Sequence, residues 1–481
     1  MKLLKKLLNK YRAIPAVAKV AFWLAFCNIV QRGISIITLP YFTRVMSSNE
    51  YGQFSVYNSW LQMLTILTTL RLNYAVFDMG MKQFADDRDG YTSTMQTVTA
   101  GLTLIVFCVY FIFRKQVNQL IELPTFIMVG MFAELLVSPA ISFWGLRKRY
   151  DYVYKPIILR TLLMAFLNAA LGVLAVYFAK EKGYARILSC VAINCIFGGI
   201  LFICNLKNGK KFFVWKYAKY AVLFTLPLLL HYLSEYILDQ FDHIMVQKFC
   251  GFAVAGIYSV AYNAGALMKV ITTSINTAIV PWQYKKLEDE EFSSLDNILF
   301  SIMMFVGICA ILFSALSPEI MRILANQEYF DAIYVIPPVA IGVFFSFAYT
   351  TFANVEFFYN NTKFTIYIST AGAILNVILN FIGIQLFGYV AAAYTTLICY
   401  IVFAYGHYFY MTKCVKETVQ VQNPFNFKRF NLLSIIVSVS CILIVSVYDY
   451  PVIRYLMILG TIGYLIYKRA QILSILKLVK R

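Results

Sequence analysis

The segment FCNIVQRGISIITLPYF (26–42) places Asn28, Gln31 and Arg32 within an otherwise apolar run. A helix that crosses a bilayer needs about 20 predominantly apolar residues, and the run from 18 to 40 provides them. An arginine at the centre of such a helix costs roughly 2.5–3.5 kcal/mol on insertion scales. Either the segment does not span a membrane, or Arg32 faces something other than lipid.

The composition decides between these alternatives. The 481 residues are 60% apolar and 14% charged, whereas soluble domains are about 45–50% apolar and about 25% charged. The chain is therefore predicted to be an all-α integral membrane protein with about 14 transmembrane helices. The predicted spans are 18–40, 53–76, 94–113, 124–146, 156–178, 185–205, 218–241, 254–279, 294–316, 332–357, 365–386, 390–412, 431–448 and 452–468.

The distribution of lysine and arginine predicts the orientation. With the N-terminus in the cytoplasm, the basic segments 147–155 and 207–219 and the tail from Lys468 all lie on the cytoplasmic side. An even number of spans then places both termini there. Topology thus accounts for most of the net charge of +19, and no nucleic-acid partner is needed to explain it. In residues 2–10 the leucines fall on one helical face and the lysines mostly on the other. This pattern predicts an amphipathic helix on the membrane surface.

Two local similarities predict an internal duplication. Gly52, Ser55 and Val56 recur as Gly256, Ser259 and Val260, and the segment 167–184 resembles 375–389 at nearly the same offset. A repeat of about 205 residues holds six predicted spans, so its two copies have the same orientation, as in transporters built from parallel halves. We expect an N-lobe at 1–210, a C-lobe at 211–412, and two additional helices with a cytoplasmic tail at 413–481.

Three segments resemble a known family: LPYFTRVMSSNEYGQFSVY (39–57), SPEIMRILANQEYFDAIYVIPPV (317–339) and LNVILNFIGIQLFGYVAAAYTTLICY (375–400). They are similar to the polysaccharide transporter family, which contains the flippases for O-antigen and capsule repeat units. That family belongs to the superfamily of multidrug and lipid-linked oligosaccharide exporters. One departure is Val390, which separates the turn at 388–389 from the alanines that follow.

The resemblance implies two MATE-like six-helix lobes around a cavity that opens alternately to each side of a bacterial inner membrane. It also implies a substrate, an oligosaccharide on a polyprenyl pyrophosphate carrier, which moves from the cytoplasmic to the outer leaflet for polysaccharide biosynthesis, such as that of lipopolysaccharide or capsule. Membrane lipids and a polysaccharide polymerase complex are candidate partners.

Four cations lie within the predicted spans, namely Arg32, Arg71, Arg160 and Lys269. Asn28 precedes Arg32 by one helical turn, so the two share a face. Guanidinium binds phosphate groups bidentately, so these residues are candidates for binding the pyrophosphate in a cavity. The alternatives are structural pairing for Arg32 and extension of the others to the membrane interface.

The seventh predicted span carries His231, Glu235 and Asp239 at intervals of four residues, on one stripe of a helix. Ionisable groups within a membrane helix are candidates for binding H⁺ or Na⁺ and for coupling transport to an ion gradient. They are also candidates for pairing with the buried arginines, or for lying in water if the span boundary is wrong. Glu134 and Glu356 are weaker candidates, each for pairing with a cation.

The motifs that the sequence lacks argue against a primary ATP-driven pump, and we expect no enzyme. There is no Walker A sequence, no H-E-x-x-H and no G-x-S-x-G, and the ten cysteines form no C-x-x-C pair that predicts a metal site or cofactor. The alternative functions are a multidrug/cation antiporter of the same superfamily and, from another class, a membrane glycosyltransferase or ligase. The four cations disfavour the first, and the short outward loops disfavour the second.

Overall fold

The computed structural model of the chain describes residues 15–359, 363–419, 421 and 425–467. In these ranges the regular elements are helices, most of them longer than 20 residues. The predicted all-α membrane class is confirmed. The amphipathic helix predicted at residues 2–10 and the tail from Lys468 lie outside the described residues.

The chain divides into two compact units, and the boundary along the sequence falls between Leu233 and Ser234. The helices of unit 1 are α1 (Ala16–Val45), α2 (Ser48–Thr69), α3 (Ala75–Gln83), α4 (Arg88–Ile112), α5 (Arg114–Ile121), α6 (Thr125–Tyr150), α7 (Lys155–Phe178), α8 (Lys182–Gly209) and α9 (Trp215–Thr225). Within unit 1, α6 packs against both α4 and α8, and α7 packs against α1 and α8.

Helix α10 (Leu229–Ala266) contains the boundary between the units. The other helices of unit 2 are α11 (Met268–Glu288), α12 (Phe292–Ala315), α13 (Ser317–Leu324), α14 (Ile336–Phe358), α15 (Lys363–Phe387), α16 (Ala391–Val419), α17 (Phe427–Ser446) and α18 (Pro451–Tyr467). Helix α14 is the centre of this unit, because most of its residues are buried and it packs against α11, α12, α16 and α17.

The helix order of unit 1 recurs in unit 2. Helices α4, α5, α6, α7 and α8 are followed about 205–210 residues later by α12, α13, α14, α15 and α16, in the same order and with a short helix in the same place. This recurrence supports the predicted duplication. Helices α17 and α18 follow the repeat, and both pack against α12.

Two predicted span ends are wrong. The second span is predicted to reach residue 76, but α2 ends at Thr69 because Leu70 and Arg71 have φ values of 48° and 55°, outside the right-handed helical region. The seventh span is predicted to end at 241. Helical residues continue to Gly251, whose φ of 84° breaks the helix in a conformation that glycine adopts without steric cost.

Ten helical segments of the described chain are long and apolar enough to cross a membrane. One of them, Trp215–Glu288, contains two of the predicted spans. The ten do not include α2, which is rich in Ser, Asn and Gln, or α16. The protein is therefore a multi-pass membrane protein, and the number fourteen remains a prediction.

A capping box starts α2 and connects it to another helix. The Glu50 backbone N–H donates to Ser47 Oγ at 3.3 Å, and the Ser47 N–H donates to Glu50 Oε2 at 2.9 Å, as the Ser-x-x-Glu spacing predicts. The other oxygen, Oε1, accepts from the backbone N–H of Lys182 at 2.9 Å. One carboxylate therefore fixes the first turns of both α2 and α8.

Helices α6 and α8 approach closely at a glycine. A Cβ built on Gly198 would lie 2.8 Å from the backbone oxygen of Val137, whereas a Cβ on the adjacent Gly199 would meet no atom within 4 Å. Small residues allow this kind of backbone contact between membrane helices. Gly198 is therefore required by packing, and Gly199 is not.

We expect Gly198→Ala to destabilise unit 1 by about 1–3 kcal/mol, the usual range for inserting a methyl group into a packed interior. Gly199→Ala is the matched control, since it adds the same atom one residue away in open space. Thermal unfolding of both variants in detergent measures the difference. Equal unfolding temperatures for the two variants would contradict the assignment.

Candidate functional site

An ion-pair cluster in unit 2 joins three helices. Lys269 Nζ on α11 lies 2.8 Å from Asp239 Oδ1 on α10, and the Tyr400 hydroxyl on α16 donates to the same oxygen at 2.5 Å. The Tyr262 hydroxyl donates to the backbone oxygen of Asp239 at 3.0 Å. Lys269 and Asp239, predicted for different roles, therefore form one charge-neutral pair.

This pair remains accessible, because the side chain of Lys269 is 26% exposed and that of Asp239 is 45% exposed. A small cavity lies beside it, lined by Lys269, Tyr262 and Tyr400 and by residues of α14 and α16 that, apart from Thr396, are apolar. In a charged pair that is open on one side, the lysine can leave the aspartate to bind an anion, or the aspartate can take up a proton. A fully enclosed pair could not do so without moving its helices.

A second polar cluster lies about one helical turn further along α10. Asp242 is fully buried and accepts from the Tyr258 hydroxyl at 2.5 Å and from the backbone N–H of His243 at 2.9 Å. His243 Nδ1 lies 2.8 Å from Ser259 Oγ. Gln247, one turn beyond, is buried with neither side-chain polar atom hydrogen-bonded.

The sequence pattern alone did not single out His243, because it ends the seventh span at residue 241 and places Asp242 near the outer boundary. The available signal is the apolar run Ile244, Met245 and Val246, which continues the helix toward Gly251. Extending the helical pattern aligns Asp239, His243 and Gln247 at intervals of four residues on one face.

The stripe of His231, Glu235 and Asp239 lies entirely within α10, as its spacing predicts. The boundary between the units falls between His231 and Glu235, so the stripe belongs to both units. Glu235 is exposed and His231 is half-buried. The stripe therefore combines Asp239, which pairs with Lys269, with the exposed Glu235 and the half-buried His231.

Helix α1 carries two different exposed stripes. Asn28, Arg32 and Ser35 are exposed at positions i, i+4 and i+7. Phe22, Phe26 and Ile29 are exposed at the same spacing on the neighbouring face. Cys27 is buried on the side that packs in unit 1. The exposed part of α1 is thus divided lengthwise into a polar stripe and an apolar stripe.

Arg71 lies in the turn after α2 and not within a spanning helix, which corrects the prediction for this residue. Its guanidinium donates to the Tyr74 hydroxyl and lies 4.6 Å from the centre of the Tyr74 ring and 6.0 Å from that of Tyr232. The Nε group is buried without a hydrogen-bond partner. Aromatic faces therefore replace a carboxylate as the environment of this cation.

Arg160 connects two helices. Its Nη1 donates to the backbone oxygen of Ile141 on α6 at 2.7 Å, and its Nη2 donates to Thr161 Oγ1 at 3.2 Å. The guanidinium also lies 5.4 Å from the Trp144 ring. Through these contacts Arg160 holds α7 against α6. Its Nε is buried without a hydrogen-bond partner.

Arg186 is a further cation inside unit 1 that the sequence pattern did not single out, because it lies at the very start of the predicted span 185–205. The guanidinium lies between the rings of Phe42 and Phe54, at 4.6 Å and 4.8 Å from their centres. A Cβ on Gly172 would lie 2.6 Å from its Nη1. Glycine at position 172 therefore leaves room for the arginine.

The two isolated glutamates have different partners. Glu134 accepts from the Tyr57 hydroxyl at 2.9 Å and from Asn194 Nδ2 at 2.7 Å, so the expectation of a cationic partner is wrong for this residue. Glu356 lies 2.9 Å from Nδ1 of His407. Burial of Glu134 among neutral donors satisfies both of its oxygens without an opposite charge.

A cavity of about 560 Å³ lies between α12, α17 and α18. The surface of the cavity is mostly apolar, and Arg429 is one of the residues that line it. That guanidinium donates from Nη1 to Asn297 Oδ1 at 2.8 Å and lies 3.8 Å from Asp296. The additional helices α17 and α18 therefore form an apolar groove with α12 in place of a closed core.

The model of the family described as "Polysaccharide biosynthesis protein" matches residues 17–286, and the MatE model matches residues 227–382. The chain is 20% identical over 341 residues to Lsg locus putative protein 1 of Haemophilus influenzae, covering 69% of this chain and 82% of that protein. It is 24% identical over 439 residues to the uncharacterized membrane protein MJ1068 of Methanocaldococcus jannaschii, covering 79% and 82%.

Solved structures have the same fold. The lipid II flippase MurJ in an inward closed conformation superposes with a TM-score of 0.69 at 13% identity, covering 95% of this chain and all of that one. An inward-facing multidrug resistance MATE family transporter of the MOP superfamily gives 0.63 at 12% identity, covering 81% and 96%. The predicted MATE-like fold is confirmed. The chain therefore belongs to the polysaccharide biosynthesis protein family and has the fold of the MOP superfamily transporters.

Proposed function

We propose that this protein flips a polyprenyl-pyrophosphate-linked oligosaccharide from the cytoplasmic to the outer leaflet of a bacterial inner membrane. The family match over residues 17–286 is the observation that carries this proposal. The fold shared with a lipid II flippase supports a lipid-linked substrate, and alternating access of two lobes is the mechanism that such a fold permits. The product would supply a surface polysaccharide such as O-antigen or capsule.

The two stripes of α1 fit such a substrate. Asn28 and Arg32 would contact its phosphates and sugars, while Phe22, Phe26 and Ile29 meet lipid. A charge that faces water or an anionic ligand avoids most of the cost of burial in hydrocarbon. Arg71, Arg160 and Lys269 are the further candidate phosphate ligands. For Lys269, binding a phosphate means competing with Asp239, which lies 2.8 Å away.

Ion coupling is the second part of the proposal. His231, Glu235 and Asp239 would take up H⁺ or Na⁺, with protonation or ion binding at Asp239 releasing Lys269 to meet the pyrophosphate. The exposure of this ion pair supports such an exchange. Both termini would be cytoplasmic, with the lobes at 1–210 and 211–412 and the additional segment at 413–481. A polysaccharide polymerase complex is the candidate partner at the outer leaflet.

Deletion of the gene tests the proposal. We expect loss of surface glycan together with accumulation of lipid-linked repeat units in the cytoplasmic leaflet, which radiolabelled sugar incorporation and leaflet-specific digestion measure. Restoration of glycan by the wild-type gene excludes an effect on neighbouring genes. Unchanged glycan together with increased sensitivity to cationic drugs would instead favour an antiporter, the function that the MatE match over residues 227–382 supports as the alternative.

A further inference from the structure

A buried carboxylate–imidazole pair lies apart from the clusters described above as candidates for substrate binding or ion coupling. Glu356, near the end of α14, and His407, on α16, are both buried, and Glu356 Oε1 lies 2.9 Å from His407 Nδ1. His407 is one of the three histidines of the chain, and its contact with Glu356 satisfies the distance criterion of an ion pair. The pair is enclosed within unit 2.

The pair has no other charged neighbour in an ion pair within the described residues. The His407 ring stacks on Tyr349 at 5.5 Å and meets the edges of Phe364 and Phe403. Oε2 of Glu356 is buried without a hydrogen bond of normal length, and the nearby hydroxyl of Thr365 on α15 interacts with this carboxylate. The titratable groups near the pair include Tyr349, which contacts the His407 ring, and Tyr410, which stacks on Phe364 and lies near both Glu356 and Cys414.

The charge of the pair depends on whether it has bound a proton. A carboxylate facing a neutral imidazole leaves one uncompensated negative charge in an apolar interior, which is costly. Addition of one proton produces a neutral pair, either as carboxylate with imidazolium or as carboxylic acid with imidazole. The two groups share this proton, so the pair takes up one proton and not two.

We propose that Glu356 and His407 form a proton-binding site in unit 2, separate from the stripe of His231, Glu235 and Asp239. With the predicted orientation, the end of α14 lies toward the cytoplasm, so proton exchange with that side requires α14 and α16 to move and open the enclosed pair. Uptake converts an anionic pair into a neutral one, and release reverses the change. The coupling of this step to flipping rests on the proposed function, whereas proton binding itself does not.

One aromatic side chain links this site to the ion pair of Asp239 and Lys269. Tyr349 stacks on His407 and also lies parallel to Tyr400, with ring centres 6.3 Å apart and an interplanar angle of 9°. Tyr400 in turn donates to Asp239. A movement of His407 on protonation would therefore be transmitted through the ring of Tyr349 to Tyr400, the hydrogen-bond donor of Asp239.

Infrared difference spectra of the purified full-length protein, recorded on acidification, test the site. We expect a carboxyl signal that is lost in Glu356→Gln and altered in His407→Gln. Proton uptake measured in weakly buffered solution should fall by one proton in Glu356→Gln and by the same one proton in the double variant. His407→Gln keeps the Glu356 carboxyl group, so it should still take up one proton, but over a different range of pH. Glu134→Gln is the matched control, since Glu134 is also a buried glutamate but has a hydrogen bond to each oxygen.

Histidine-labelled wild-type protein provides a test that leaves the pair intact. With three histidines, the variants His231→Gln and His243→Gln identify the His407 ring signals in nuclear magnetic resonance spectra by elimination. We expect the His407 signals to change with pH together with the Glu356 carboxyl signal. The proposal is overturned if His407 does not respond over the range in which the protein stays folded, or if the double variant loses two protons or none.

These measurements need no transported substrate, so they stand if the flippase proposal fails. Conversely, if the deletion strain accumulates lipid-linked repeat units and Glu356→Gln restores export at every pH, the flippase proposal stands and the coupling of this proton to flipping is lost.

Discussion

Arg32→Gln is expected to reduce export of the lipid-linked oligosaccharide about 10- to 150-fold. A hydrogen bond to a charged group contributes about 1.5–3 kcal/mol, which corresponds to this range. The loss follows because glutamine keeps the polar stripe of α1 but cannot offer a charge or a guanidinium fork to a phosphate. Accumulated lipid-linked repeat units and surface glycan, both measured against protein level in the membrane, provide the readout.

Two variants test the specificity of this effect. Arg32→Lys keeps the charge without the fork, so it should lie between the wild type and Arg32→Gln. Ile29→Ala removes atoms from the apolar stripe of the same helix and should leave export nearly unchanged. Full export by a normally inserted Arg32→Gln protein would show that Arg32 has a structural role or none.

Breaking the ion pair of Asp239 and Lys269 is expected to destabilise unit 2 in a way that the double variant reverses. Removal of one partner of a buried pair costs about 3–5 kcal/mol, and partial exposure of both side chains lowers this to about 1–3 kcal/mol. Lys269→Met leaves Asp239 with the Tyr400 hydroxyl alone, and Asp239→Asn leaves the ammonium group without its anion. Thermal unfolding in detergent measures each cost.

The double variant Asp239→Asn with Lys269→Met removes both charges together and should recover most of the stability lost by either single variant. It also separates structure from function. If Lys269 binds phosphate, the double variant stays defective in export although it is stable. Recovery of both stability and export would show that the pair only holds α10 to α11, and additive losses of stability would show that the two residues do not interact.

The sequence predicted most of the fold because the length and apolarity of each helix are local properties. Hydropathy alone locates the segments around α4, α6, α7 and α8, and it also locates their recurrence in unit 2. Errors appeared where the backbone turns. Leu70 and Arg71 end α2 in a left-handed conformation that neither residue type predicts, and the polar pair Asp242 and His243 resembles a helix end although the helix continues to Gly251.

For the candidate site, too, the sequence predicted some features and the tertiary structure decided others. The sequence by itself determined that charged residues lie within apolar helices, because hydrophobicity is read one segment at a time. Only the tertiary structure decided which charges meet: Lys269 with Asp239 and Tyr400, and Glu356 with His407, which lies 51 residues away. These contacts depend on which faces of distant helices pack together, and that rotation is fixed by side-chain packing across the whole unit.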